Sequence, residues 1–471
     1  MLSVVIDNGA HTIKAGIQKG LPRFIGSVTN RIIPNAVIRS KGDKATYFGH
    51  EFERCSDYSS LHYRLPFEKG YIVDWDAQKA IWDGLFSTEV FNVDTTQASL
   101  LLTEPYFNLP NIQDVYDQFV FEEYEFQSYY RCTPASLIPY GTLFKKPREP
   151  KPECCIIVDS GFSFTHVIPV MENKVIWNAV KRVDVGGKLL TNHLKELVSY
   201  RQWNMMDETF IVNDVKEKCC FVSQDFRRDL ETCAIDPTIN SIVQDYILPD
   251  LSKNQKGHVR SPDDILLDTD QVLVMNNERF TVPELLFRPD DIGLEQMGLA
   301  STIAHVISLL PEDLQGMFWA NIGLIGGSIN FSGFRARLLQ ELQPLAPMDS
   351  EIVIYESVDP VLEPYRSALH FNFTRYAVTR AEYQEMGSEA SRRKFKSINK
   401  LPVGASADDG VAESDNSSEP GQKAVSSTTS RGKKTTDERG TTGSTKATTI
   451  TKGTKTGSTR QSAREGTSRR K

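Results

Sequence analysis

Apolar residues fall into short runs, each stopped by a turn signal. The first run, Val4 to Ile6, breaks at Asp7-Asn8-Gly9 and resumes as a second apolar strand through Ile13 to Ile17. Asn and Gly tolerate the positive φ of a tight two-residue connection, so the pattern predicts a β-hairpin. The device returns later, where Cys155 to Val158 runs into Asp159-Ser160-Gly161 and a new strand spans Phe164 to Val170. Each turn leaves backbone N–H groups beside a carboxylate, which suits a phosphate and its metal ion. One copy alone reads as a surface hairpin. Two copies predict two similar α/β domains, each offering one turn to a ligand held between them.

Between the copies, Ile32 to Arg39 reads as a strand, Ser40 to Ala45 as a polar loop, and Leu65 to Gly70 as a turn. An Asp of Asp74-Trp75-Asp76 is placed to cap a helix whose apolar face holds Ile81, Leu85 and Phe86. Ala98 to Thr103 is a buried strand ending at Glu104-Pro105, and Asn111 to Tyr130 is a helical stretch whose aromatics fill core. Asn240 to Asn277 mixes charge with Pro249, Gly257 and Pro262. A loop of that length is either a partner contact or a solvated excursion.

At 471 residues and 39% hydrophobic content the chain can bury two large cores. No apolar run approaches the roughly eighteen residues of a membrane span, and Met1 to Ile6 is too short and too soon charged for a signal peptide. The expectation is a soluble protein that stays inside the cell. Seven cysteines, including the adjacent pairs Cys154-Cys155 and Cys219-Cys220, lack zinc-site spacing and read as reduced core residues. Eight scattered histidines offer no H-x-x-x-H pair.

After Ile398 the character changes. Gly404 to Lys471 is nearly devoid of large apolar residues and cannot offset its chain entropy, so 399–471 is expected to be a disordered, low-complexity tail. Its charge is segregated. Acids come first, and from Lys423 onward thirteen Lys and Arg face three acids. The body must therefore be more acidic than the overall −7. The tail suits either DNA phosphates and histones or a plain flexible extension. Arg392-Arg393-Lys394-Phe395-Lys396 and Arg469-Arg470-Lys471 are short basic clusters of the kind that direct nuclear import.

The succession Val5-Ile6-Asp7-Asn8-Gly9 with Lys14, then Gly70 to Trp75, then Ile157-Val158-Asp159-Ser160-Gly161 with Thr165-His166, resembles the actin superfamily. Val183 to Lys188, Asp214 to Glu217, Asn277 to Phe280, and Ile325 to Ser328 followed by Gly333-Phe334 add matches at family spacing. The resemblance covers roughly residues 1 to 385. It implies an α/β, actin-like fold: two similar ribonuclease-H-like domains around a nucleotide cleft, each with an inserted small subdomain. On this chain the actin-like domain is 1–398, with one insert at about 35–65, a second half from about 151, and its insert at about 188–294. Segments such as Gly186 to Lys195, Ser199 to Gln202, Met206 to Thr209 and Asp245 to Asp250 are similar to the nuclear actin-related proteins of SWR-type chromatin-remodelling complexes.

Carried onto matching positions, the resemblance implies a site for ATP or ADP with magnesium, structural rather than turned over. Asp7 and Asp159 would hold the hydrated ion. Asn8, Gly9, Lys14, Ser160, Gly161 and Gly186 fall at the phosphate end, while Lys216, Glu217, Gly326, Gly327 and Ser328 fall at the adenosine end. The chain also departs from actin. Ala10 and His11 replace a serine and a glycine, Phe162 replaces an acid, Lys69 a histidine, and Pro134 a water-orienting glutamine. His166 stays, as a packed histidine or a proton-transfer group. Slow or absent hydrolysis is expected, with no catalytic residue assigned.

Only seven residues, Ser40 to Thr46, stand where actin carries a longer subunit-contacting loop, so a filament is not expected. The branch implies a non-catalytic subunit supporting nucleosome binding and variant-histone exchange. Its expected partners are a remodelling ATPase and a zinc-finger companion, with nucleosome, histones and DNA reached through the complex and no membrane. The expected location is the nucleus, with a cytoplasmic pool. An actin-like ATPase that cycles or polymerises is the competing class. A sugar kinase on the same fold would need a further cleft carboxylate as general base, and none stands out.

Overall fold

The computed structural model describes residues 2–19, 29–58, 60–146, 150–235, 240–250 and 256–398. The tail at 399–471, with the acidic-then-basic run and the second basic cluster, lies outside the described residues.

Two six-stranded sheets carry the body. In the first, Leu2–Asn8 pairs antiparallel with Thr12–Lys19 and parallel with Ala98–Thr103, which pairs parallel with Ser128–Cys132. In the second, Cys154–Ser160 pairs antiparallel with Thr165–Met171 and parallel with Ile322–Ile325. The same motif is built twice: a hairpin whose first strand also takes a parallel neighbour. Parallel pairing demands a long crossover, and the crossovers carry the helices that cover the sheets. These strands are therefore covered on both faces and read as unbroken apolar runs. Ala98–Thr103 is buried at every residue.

Each sheet has its own core. Val4, Val5, Ile6, Leu100, Leu101 and Trp82 belong to one, and Ile156, Val158, Leu324, Phe287 and Phe334 to the other. A third cluster joins the halves, with Tyr106, Ala135 and Ile138 from the first half packed against Ile157, Ile168 and Ile325. Among the described residues three small antiparallel sheets complete the body: Val37–Ser40 with Ala45–Phe48 and His62–Arg64, Gln244–Ile247 with His258–Val259 and Val272–Met275, and the two-stranded pair Phe67–Glu68 and Tyr71–Ile72.

Several local expectations are corrected. Ile32 to Arg39 is two strands, Thr29–Pro34 and Val37–Ser40, which belong to different sheets. The helix expected from Asn111 to Tyr130 runs Pro110–Gln118, passes through one wider turn at Phe119–Glu123, and yields to the strand Ser128–Cys132. Strand pairing on two edges outweighs local helix propensity there. Asn240 to Asn277 carries the second small sheet, so it is not a bare loop. Asp74 does cap the Trp75–Phe86 helix, accepting from the Ala77 N–H. All seven cysteines are free and six are buried. Among the described residues no helix is long and apolar enough to cross a membrane.

Candidate functional site

A cleft of about 460 Å³ opens between the halves, lined from both hairpins. That lies within the roughly 300–1,000 Å³ of small-molecule sites. Asp7 is the last residue but one of the first strand and faces Lys14 across the hairpin register; their side chains lie 3.4 Å apart. Thr103, at the end of the neighbouring parallel strand, donates its hydroxyl to Asp7 Oδ1 at 2.8 Å and accepts the Asn8 N–H at 2.9 Å. Asn8 and Gln78 are joined by a side-chain hydrogen bond of 3.3 Å, which locks the first turn onto the capped helix.

The first turn differs from the expected tight connection. Gly9 does not adopt positive φ, and three residues, Gly9 to His11, separate the strands. Glycine is required by crowding: a Cβ would lie 2.8 Å from the Thr12 carbonyl oxygen and 3.3 Å from Lys14 Nζ.

Asp159 occupies the matching place in the second hairpin. Tyr106 donates its hydroxyl to Asp159 Oδ2 at 2.8 Å and accepts the Ala135 N–H. Burial pushes the Asp159 carboxyl up to about 6; the Tyr106 hydrogen bond opposes the rise, the charge of Asp7 adds to it, and Lys14 opposes it. The two carboxylates therefore feel each other across the cleft, a repulsion that a divalent cation between them would relieve. Among the described residues no group of three or more metal-ligating side chains exists. Two carboxylates fit magnesium, which keeps several waters and needs few protein oxygens.

Not every expected residue reaches the cleft wall. Asp7, Asn8, Gly9, Lys14, Asp159, Gly161, Lys216, Glu217, Gly326, Gly327 and Ser328 line it, whereas Ser160 and Gly186 do not. The Ser160 hydroxyl is buried against that of Thr165 at 2.9 Å, so it supports the turn from behind. Gly186 admits the helix Gly187–Arg201 to the second turn, where a Cβ would sit 2.6 Å from Phe164 N. Gly326 has φ of +100°, and a Cβ there would lie 2.3 Å from the Ser160 carbonyl oxygen. Lys216 is buried, with its ammonium donating to Thr191 Oγ1 and Asn213 Oδ1 at 2.9 Å each, and burial lowers its pKa. Asp214 turns away toward Tyr246 and Lys218.

The positions that depart from actin all line the cleft, and two of them touch. His11 stacks on Phe162 with ring centroids 4.8 Å apart. The His11 ring still meets water in the cleft, but the surrounding walls desolvate it. That effect, with the charges of Lys216 and Lys14, lowers its pKa to about 4. Pro134, at the start of the short helix Pro134–Leu137, and Lys69 both line the cleft. His166 is buried among Tyr106, Phe107 and Phe164, its ring 4.5 Å from that of Tyr106. Burial, reinforced by Arg182, lowers its pKa to about 3 and keeps it neutral.

Thr103, Tyr106 and Arg182 also belong to the site and were missed in the sequence. One signal was available for the first two: in open α/β sheets, ligands sit at the carboxyl ends of parallel strands. Ala98–Thr103 is such a strand, so the residues just beyond it emerge beside Asp7. The first basic cluster proves to be helical and engaged in ion pairs. Arg392 pairs with Asp114, Arg393 with Glu389, and Lys394 with Glu382.

A duplicated strand–turn–strand with an acid in each turn, closed around one cleft by helical crossovers, defines an actin-type nucleotide fold. The sequence profile of the actin family matches residues 1–396, and the chain belongs to that family. Within it, its place is in the actin-related protein 6 group. It is 50% identical over 420 residues to "Actin-like protein ARP6" of Cryptococcus neoformans, covering 84% of each chain. It is 35% identical to "Actin-related protein 6" of Drosophila melanogaster and 38% identical to that of Arabidopsis thaliana, with 83% of this chain and 99% of each relative covered.

Proposed function

We propose that the chain is a non-catalytic subunit of an SWR-type chromatin-remodelling complex, supporting nucleosome binding and variant-histone exchange and so regulating transcription. The observation that carries this reading is the loss of polar groups where hydrolysis would need them. A water in line with a terminal phosphate must be oriented by a polar side chain. Here Phe162 and Pro134, whose side chains have no donor or acceptor, line the cleft. ATP or ADP with magnesium is then a structural ligand on Asp7 and Asp159, and the body is a scaffold.

Its partners in this reading are the remodelling ATPase subunit and a zinc-finger companion, with nucleosome, histones and DNA reached through the complex. The thirteen Lys and Arg of the tail add a second, salt-sensitive route to phosphates. The location is the nucleus, with a cytoplasmic pool. A filament is not expected, because the connection after Ser40 is pinned. Asp43 accepts from the Ser56 N–H at 2.9 Å, the Ser56 hydroxyl at 2.6 Å and the Tyr47 hydroxyl at 2.8 Å.

The intact Asp7, Lys14 and Asp159 set favours a second reading, an actin-like ATPase. A pull-down of the intact chain from nuclear extract, with released nucleotide quantified on the same sample, separates the two. Recovery of a Swi/Snf-type ATPase with a zinc-finger protein supports the scaffold. Absence of both, with bound nucleotide that exchanges and turns over, overturns it.

A further inference from the structure

The two turns that face the cleft are joined by a ring contact that a phosphate-clamping site would not need. His11 ends the first turn, and Phe162 follows Gly161 in the second. Their rings lie 20° from parallel, with centroids 4.8 Å apart. The turns around them carry unused donors. Among the described residues, the backbone N–H groups of Ala10, His11, Phe162 and Ser163 have no hydrogen-bond partner. Free N–H groups on successive turn residues make an anion-binding concavity. Lys14 and Lys216 line the same cleft and add positive charge.

An anion is thus invited, but its room is limited. Rings in stacking contact leave no gap between them, and an aromatic face presents the negative side of its quadrupole to phosphate oxygens. The phenyl ring of Phe162 also has no donor to offer them. The cleft is also lined by Glu217 and by Gly326 to Ser328, which leaves room for the other part of the ligand.

We infer that the His11–Phe162 pair closes the phosphate end of the cleft, so that the site selects a nucleoside diphosphate over the corresponding triphosphate. This inference rests on the reading of the cleft as a nucleotide site. A diphosphate can reach Lys14 and the free N–H groups with the rings in contact. A third phosphate must part them, and the usual worth of such a stack corresponds to a preference of about fivefold.

The test uses the full chain, stripped of nucleotide and titrated with ADP or ATP in magnesium by calorimetry. ADP is expected to bind about fivefold more tightly than ATP. His11→Gly should bring the ratio close to one by raising ATP affinity while leaving ADP affinity in place. Phe162→Ser, made separately, should do the same and serves if the first variant fails to fold. ATP binding as tight as ADP binding to the unaltered protein overturns the inference and leaves the nucleotide site standing. Failure of both nucleotides to bind overturns the inference and the site together. A preference that survives in the folded variants shows that the ring pair does not set it.

Discussion

Phe210 is the residue whose removal should open this molecule. It lies near the start of the helix Thr209–Cys219, whose Asn213, Lys216 and Glu217 line the cleft. Its ring stacks on Tyr58 at 5.0 Å and 12°, and meets the edge of Phe52 at 5.5 Å and 74°. Both partners belong to the small-sheet region of the first half. Beside them the Ser60 N–H donates to Glu208 at 3.0 Å, with Ser60 held at φ +46°. A serine in that left-handed region costs about 1–3 kcal/mol unless its surroundings over-determine it. Two ring pairs at about 0.5–1.5 kcal/mol each give roughly 2 kcal/mol lost in Phe210→Ala. That is a factor of about 30 in the balance between clasped and unclasped forms.

Amide hydrogen exchange reads this directly. Peptides covering 37–64 should exchange about 30-fold faster in the variant, while the buried strands Leu2–Asn8 and Cys154–Ser160 keep their protection. Phe210→Tyr, which retains the ring, should behave as the unaltered chain. Unchanged exchange over 37–64 would refute the clasp. Equal acceleration of the core strands would show that Phe210 stabilises the whole fold instead.

Three further outcomes are expected. Arg337 is buried and forks onto Glu284 at 2.6 and 3.1 Å while donating to the Ser223 carbonyl. Arg337→Met strands a buried carboxylate and should cost about 3–5 kcal/mol in urea unfolding; a loss below 1 kcal/mol would contradict the burial argument. His166, with its pKa lowered to about 3, is stabilising when neutral, and its contribution is lost as pH falls from 6.5 toward 3. Asp159, raised to about 6, works the other way, destabilising as pH rises from about 4 to 6. The stability difference between the unaltered chain and His166→Asn should therefore shrink by about 1.4 kcal/mol per pH unit between 6 and 4; a constant difference would mean the imidazole is not desolvated. Finally, the body should stay in the supernatant when sedimented at the magnesium and salt that polymerise actin, and a pellet of filaments would end the scaffold reading.

The hairpins, both turn acids and the capped helix could be read from the chain because each has a local cause: an apolar run, a turn residue, a helix cap; Gly186 and Gly326 came only through the resemblance. What escaped depends on neighbours distant in sequence. Thr103 and Tyr106 matter because their strand lies beside Leu2–Asn8, a pairing no short pattern encodes. Ser160 looked like a phosphate ligand, yet its hydroxyl is consumed by Thr165 across the hairpin. The strand within Asn111 to Tyr130 was hidden for the same reason, since its aromatics suit helix and sheet equally until two partner strands decide. The substitutions His11 and Phe162 were visible singly as losses. That they stack on each other became visible only once the turns were brought together.

That pairing changes what the losses mean. A cleft between two halves closes for one of two reasons: a ligand bridges it, or side chains do. Here the chain supplies its own bridges at several levels. The cluster of Tyr106, Ala135 and Ile138 with Ile157, Ile168 and Ile325 joins the halves, and the Gly70 turn fits against Phe164 with no room for a Cβ. The His11 ring rests on Phe162, and Phe210 grips Tyr58 and Phe52. Each contact replaces part of what a bound nucleotide would contribute to closure. A machine that cycles needs closure to depend on the state of its nucleotide, because a ligand shifts a conformation only by its differential affinity for the two forms. A body bridged by its own rings would leave the nucleotide little to shift, which is what the scaffold reading requires.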